Sequence, residues 1–124
     1  MEKYSWKARF STARKVKNGK YYQLGLAEDK YDFKNYILFQ KPYELAKDEN
    51  TEAEHNGLYV EANGDMCFNK VEYVKLSSVA FEALIYGALF EIDITEAKIT
   101  GKFKEYAQEI FGEKLIFIDE GISN

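Results

Sequence analysis

Cysteine, proline and histidine each occur once in the 124 residues, as Cys67, Pro42 and His55. A lone cysteine excludes an internal disulfide framework and a zinc site built on several thiolates, and it suits a reducing, cytoplasmic setting. No apolar run is long enough to span a bilayer, and Met1 to Phe10 interleaves charges with its apolar residues. Neither a membrane helix nor a secretory leader is therefore expected. The eight glycines are scattered singly, so no G-x-x-x-x-G-K-[ST] or G-x-G-x-x-G phosphate cradle exists. No serine stands in a G-x-S-x-G setting, which removes the usual sign of a strained nucleophile elbow.

What is present is apolar, charged and aromatic. Apolar residues make up 46% and charged residues 31%, with ten Tyr and nine Phe, a composition that folds rather than one that stays disordered. One domain over residues 1–124 with one core fits this length. Tyr and Phe suit strands, and tyrosine also supplies contact area in recognition surfaces at low entropic cost.

The net charge of -4 hides an asymmetry, since residues 1–20 hold seven Lys/Arg against Glu2 alone, while residues 44–54 hold five acids against Lys47. Cations set among Tyr4, Trp6, Phe10, Tyr21 and Tyr22 could grip single-stranded nucleic acid. The acidic whole, with a pI near 5.1, opposes phosphate binding and favours a solvated hairpin face, so nucleic acid is the alternative reading. The acidic run Glu44, Asp48, Glu49, Glu52 and Glu54 is either a solvated loop or a complement to a cationic protein surface.

Along the chain the pattern is mostly of period two. Trp6, Ala8 and Phe10 alternate with polar residues, Asn18-Gly19 signals a turn, and Tyr22, Leu24 and Leu26 alternate again, predicting one hairpin over about residues 5–28. Tyr36 to Phe39 reads as a central strand buried on both faces, ended by Pro42, with a short helix near residues 44–47 in the polar connection. Strands follow at residues 58–61 and 71–76, with Asn63-Gly64-Asp65 as turn chemistry, and a hairpin at residues 81–94 turns at Tyr86-Gly87-Ala88. Ile99, Phe103, Tyr106 and Ile110 form a helical stripe with Thr95 as N-cap, Glu96 in the first turn and Gly112 at the C-cap. Gly101 then weakens the helix interior. Leu115 to Ile118 is expected as a last buried strand and residues 119–124 as a polar tail. The expected fold is α+β, a mainly antiparallel sheet of about six to eight strands with one C-terminal amphipathic helix.

Chemistry finds little support. His55 beside Glu52 and Glu54 does not define a coordination shell. Cys67 with His55 lacks a third orienting group, and a free cysteine in a strand is usually a small buried hydrophobe. Glu91 and Asp93 share a strand face but read as its solvated side. No catalytic residue, metal ligand or cofactor is assigned.

Four segments carry a likeness to a known family. Asn35-Tyr36-Ile37-Leu38-Phe39-Gln40-Lys41 looks like N-Y-[IL]-[IL]-[IL]-Q-[RK], and Tyr59-Val60-Glu61 like Y-[IV]-E. Val71 to Ser77 is similar to a V-x-L-S segment, and Phe90 to Ile94 before a helix ending at Ile110-Phe111-Gly112 to a final β-α unit. In this order, over about residues 22–112, the chain resembles the immunity protein 10 family of bacterial polymorphic toxin systems. Asp65 to Lys70 departs from it, standing where that family has a glycine-rich turn. The resemblance implies a small cytoplasmic α+β protein that neutralises a cognate toxin domain by stoichiometric binding, without turnover. On that footing Tyr43, Glu44, Asp48, Glu49, Glu52, Glu54 and Tyr59 are expected to face the toxin.

Charge steering makes this expectation measurable. Reversing Asp48, Glu49 and Glu52 to Lys should slow association with a cationic partner about tenfold or more at low salt, with the difference shrinking as salt rises. Stopped-flow kinetics over a salt series reads this directly, and unchanged rates would remove these acids from the encounter.

Overall fold

The computed structural model describes residues 2–29, 35–43 and 57–118. Its elements run β1 (Glu2–Lys7), β2 (Phe10–Val16), β3 (Tyr21–Ala27), β4 (Tyr36–Pro42), β5 (Tyr59–Ala62), β6 (Asp65–Phe68), β7 (Val71–Leu76), β8 (Ala80–Ile85), β9 (Ala88–Asp93), α1 (Gly101–Phe111) and β10 (Leu115–Phe117). They form two five-stranded sheets, ordered β1-β9-β8-β7-β10 and β2-β3-β4-β5-β6. The expected single sheet of six to eight strands is thus corrected to ten strands in two sheets, with the one C-terminal helix in place.

The predicted first hairpin is split between these sheets. Ala8 donates its N–H to the Asp93 carbonyl of the first sheet at 2.8 Å, and Arg9 donates to the Ala27 carbonyl of the second at 2.9 Å. The chain therefore changes sheet in one peptide step, with Ala8 fully buried at the crossing. Alternation of Trp6, Ala8 and Phe10 could not reveal this, because a strand that switches partner keeps its local period. The turn that follows also differs in detail. Positive φ falls on Lys20 in a four-residue turn, and a Cβ at Gly19 would meet the Tyr21 ring at 2.3 Å, so a larger residue there would require that ring to move.

The turns joining β5 to β6 and β8 to β9 are two-residue turns with φ positive at both positions, Asn63 (50°) with Gly64 (95°) and Tyr86 (50°) with Gly87 (80°). This is the type I′ pattern that matches the twist of paired strands. Six of the eight strand pairings are antiparallel, while β1 runs parallel to β9 and β10 parallel to β7. The strand β4 is central in its sheet as expected, yet only Ile37 and Phe39 are buried, whereas Tyr36 and Leu38 are half-buried on the other side. The expected buried final strand is instead an edge, with Ile116, Phe117 and Ile118 exposed.

Between the sheets lies a shared core. Phe39 of the second sheet meets Phe81 of the first at 5.7 Å between ring centroids, and Phe111 of α1 closes on Phe39 edge-on at 4.9 Å. The helix buries Phe103, Tyr106, Ala107, Ile110 and Phe111, the predicted stripe apart from Ile99, which precedes the helix. Its N-cap is Thr100, whose Oγ1 accepts from the Phe103 N–H at 3.1 Å, not Thr95. The Asp93 carboxylate takes both the N–H and the hydroxyl of Thr95, a local turn that leaves Thr95 outside the helix. Gly101 therefore sits at the first helical position, where it costs little, and Gly112 ends the helix at φ 55° as expected. Glu96, freed from a helical role, pairs with Lys7 at 2.9 Å and Arg9 at 3.4 Å across the sheet change.

The predicted helix at residues 44–47, the acids Glu44, Asp48, Glu49, Glu52 and Glu54, His55 and the tail at residues 119–124 lie outside the described residues. Among the described residues no helix is long and apolar enough to cross a membrane.

Core and surface phenylalanines should differ sharply. Phe81→Ala should lower stability by about 3–5 kcal/mol, through lost transfer energy plus a cavity, and Phe68→Ala on the second sheet by less than about 1 kcal/mol. Urea unfolding with unchanged slopes checks both, and equal losses would contradict the position of the core.

Candidate interaction face

Because strands alternate, every core residue of the second sheet implies an outward neighbour. With Leu24, Leu26, Ile37, Phe39 and Val60 turned to the core, the opposite face carries Phe10 and Thr12, Gln23 and Gly25, Tyr36, Leu38 and Gln40, Tyr59 and Glu61, then Met66 and Phe68. Phe10, Met66 and Phe68 are exposed, Met66 to 64%. Set against a sequence that is 31% charged, this broad face holds only Arg14 and Glu61 as outward charges on its strands.

Glu61 organises its centre. Its Oε2 accepts from the Tyr36 hydroxyl at 2.5 Å and its Oε1 from the Tyr59 hydroxyl at 2.7 Å. The Gly64 N–H donates to the Tyr36 oxygen at 3.0 Å, so the β5–β6 turn anchors the same group. Tyr59 packs its ring on Phe68 at 5.3 Å, and Gln40 donates to Gln23 at 3.0 Å on the neighbouring strand. Two shallow hollows flank this set. One, of about 410 Å³, is bounded by Tyr21, Gln40, Pro42, Gly57, Tyr59 and Phe68. The other, of about 380 Å³, lies over Gly25 between Phe10, Leu38 and Tyr36, where the absence of a side chain bares the sheet.

The electrostatics follow from those bonds. Two phenol donors hold the Glu61 carboxyl below the usual glutamate range, outweighing partial burial. In return, Tyr59 is pushed up to about 12, first by its hydrogen bond to Glu61 and then by burial. Tyr36 moves upward for the same reasons.

Of the residues expected to face a partner, Tyr59 stands at the centre of this face. Tyr43 does not; it packs on Tyr22 at 5.4 Å under the Lys15 ammonium at 4.7 Å, and Tyr22 in turn meets Tyr106 of α1. The acidic connection joins Tyr43 to Gly57, hence it leaves and re-enters the sheet beside the first hollow. Sequence reasoning missed Tyr36, Leu38, Gln40, Glu61, Met66 and Phe68. Their signal was there, since each alternates with a core position, but reading residues 36–39 as buried on both sides hid it.

Other candidates are occupied differently. Glu91 pairs with Lys3 at 3.0 Å, and Asp93 caps Thr95. Lys7 and Arg9 of the basic N-terminal stretch are paired with Glu96. Cys67 is half-buried on the inner side of β6, its thiol pushed up chiefly by burial. Among the described residues no group of three His, Cys, Asp or Glu side chains could hold a metal.

No protein-family model matches the chain, and the curated proteins searched hold no match to it.

The tyrosine–carboxylate set makes stability depend on pH at both ends. Glu61 has a lowered folded pKa, so its contribution is in force above the ordinary glutamate value and fades as pH falls through the lower folded one. Tyr59 has a raised folded pKa, so its contribution holds below the ordinary value of 10.0 and is lost as pH rises toward about 12. Urea midpoints across pH should show both limbs, with Glu61→Gln flattening the acid one and Tyr59→Phe the alkaline one. Profiles that superimpose on the unmodified protein would disprove the coupling.

Proposed function

We propose that the protein is a stoichiometric inhibitor, an immunity protein that neutralises a bacterial toxin domain by covering it. The observation that carries the reading is the outward face of the second sheet, aromatic, nearly uncharged and organised around Glu61. Two segments of the family likeness, Asn35 to Lys41 and Tyr59 to Glu61, lie on adjacent strands paired Gln40 to Tyr59 and Leu38 to Glu61. Their outward residues are the ones that build this face, so the likeness extends beyond core positions.

The physical case is one of preorganisation. Tyrosines already fixed by a carboxylate lose little rotamer freedom on binding, and buried aromatics surrounded by water-excluding contacts dominate interface energies. A standard interface takes about 800 Å² from each partner. The acidic residues between Tyr43 and Gly57 would draw a cationic partner in and set the rate of encounter. In this reading the partner's active residues are occluded, and the protein performs no reaction of its own.

The test is titration against the polypeptide encoded beside this gene. Expected is a saturable 1:1 complex that Phe68→Arg weakens at least about 100-fold, as loss of a central anchor does, with unfolding midpoint unchanged. Glu72→Lys, exposed on the other sheet, should leave affinity as it was. Absence of a complex sinks the immunity reading, and a complex indifferent to Phe68→Arg sinks this face.

A further inference from the structure

The helix packs on β2, β3, β4 and β10, and away from it the inner faces of the two sheets part around a cleft of about 350 Å³ bounded by β1, β5, β6, β8 and β9. One wall is aromatic, with Tyr4 stacked on Phe90 at 5.0 Å and 21° between planes. The facing wall and floor are aliphatic, from Val60 and Ile85, and the small side chains of Ala62 and Ala88 leave the volume open. The lining also holds the carboxylates of Glu2 and Asp65 and the amide of Asn63, the last bonded to Tyr36 and Asn35. Glu2 accepts the Tyr4 hydroxyl at 2.8 Å, and Asp65 lines the same cleft; the Tyr4 phenol is raised first by its bond to Glu2 and least by the charge of Asp65. The Lys70 ammonium lies over the ring of Tyr86 at 5.4 Å.

We propose that this cleft binds a small aryl- or alkylammonium ion, its apolar body between the Tyr4–Phe90 stack and Val60, and its ammonium beside Glu2 and Asp65. Shape and charge both select this class. A volume near the lower end for small-molecule sites admits a ligand of about ten heavy atoms. An apolar lining takes the hydrocarbon, aromatic faces and carboxylates favour a cation, and the same carboxylates repel an anion. The site opens on the inner side of the second sheet, shares only Met66 with the outward face described above, and does not depend on the toxin-binding reading.

The probes are phenethylammonium, 2-phenylethanol as its uncharged isostere and 3-phenylpropionate as the anionic one, titrated by isothermal calorimetry and by amide NMR. Expected is saturable binding of the cation with a Kd of about 1 mM, as suits so small a ligand, at least fivefold tighter than the alcohol, with the anion weakest. Cys67 lines the cleft and is the sole cysteine, so saturating phenethylammonium should slow its alkylation by iodoacetamide at least threefold. Glu2→Gln with Asp65→Asn, both exposed, should bring the preference for the cation below twofold while the alcohol binds as before. Ala88→Leu should abolish binding of all three, with Trp6 fluorescence reporting that the fold persists. The proposal is overturned by no saturation up to 20 mM, by equal or stronger binding of the alcohol or the anion, by a cation preference that survives the double substitution, or by alkylation unaffected by ligand.

Discussion

Contact between Phe39 and Phe81, closed by Phe111, is the constraint on which the rest of the structure depends. The inward face of each sheet is apolar, and neither could stay out of water without the other; a helix of eleven residues could not cover both. Once the rings meet, the inward side of every strand is committed to the core. The outward side of the second sheet is then left to be shaped by something other than packing. That side nevertheless carries Phe10, Tyr36, Leu38, Tyr59, Met66 and Phe68, where a sheet needing only solubility would carry charge. A surplus of apolar side chains on the solvent face is the informative departure from the hydrophobic-inside rule.

The same contact explains the sheet change at Ala8 and Arg9. With the sheets face to face, a chain passing from one to the other must cross at their margin, and the crossing residue must be small enough to lie in the core. Ala8 meets that need. Glu96 then bridges Lys7 on one side of the step and Arg9 on the other. These exposed pairs add little energy individually, yet they stand at the point where the two halves of the fold are joined by one peptide.

Local features of this fold were legible and partner choice was not. Asn63-Gly64 and Tyr86-Gly87 turn where their residues indicated, and the stripe at Phe103, Tyr106 and Ile110 is helical, because φ preference and periodicity are properties of a few neighbouring residues. Nothing local records that β1 lies beside β9, more than eighty positions away, or that β10 lies beside β7. The same limit governed the candidate face. Tyr59 was picked out by the family resemblance, but its setting depends on Glu61 two residues on and on Tyr36 across the sheet. Thr95 shows the converse, a residue with sound capping chemistry that a nearer acceptor, Asp93, claims first.

Glu61 deserves the emphasis because a carboxylate on an apolar face ordinarily works against binding. Burying an ionised group under a partner costs several kcal/mol unless its lone pairs are satisfied. Here each oxygen already accepts from a phenol of the same chain, so about half of the carboxylate's four acceptor sites are satisfied internally before any partner arrives. The charge thereby becomes a brace for two aromatic rings, and the outer edges of those rings remain for contact. In the proposed reading, long-range attraction has to come from elsewhere, and the acidic residues between Tyr43 and Gly57 would supply it. In that reading dissociation would be governed by the braced aromatics and association by the acidic residues, two roles carried by separate parts of the chain.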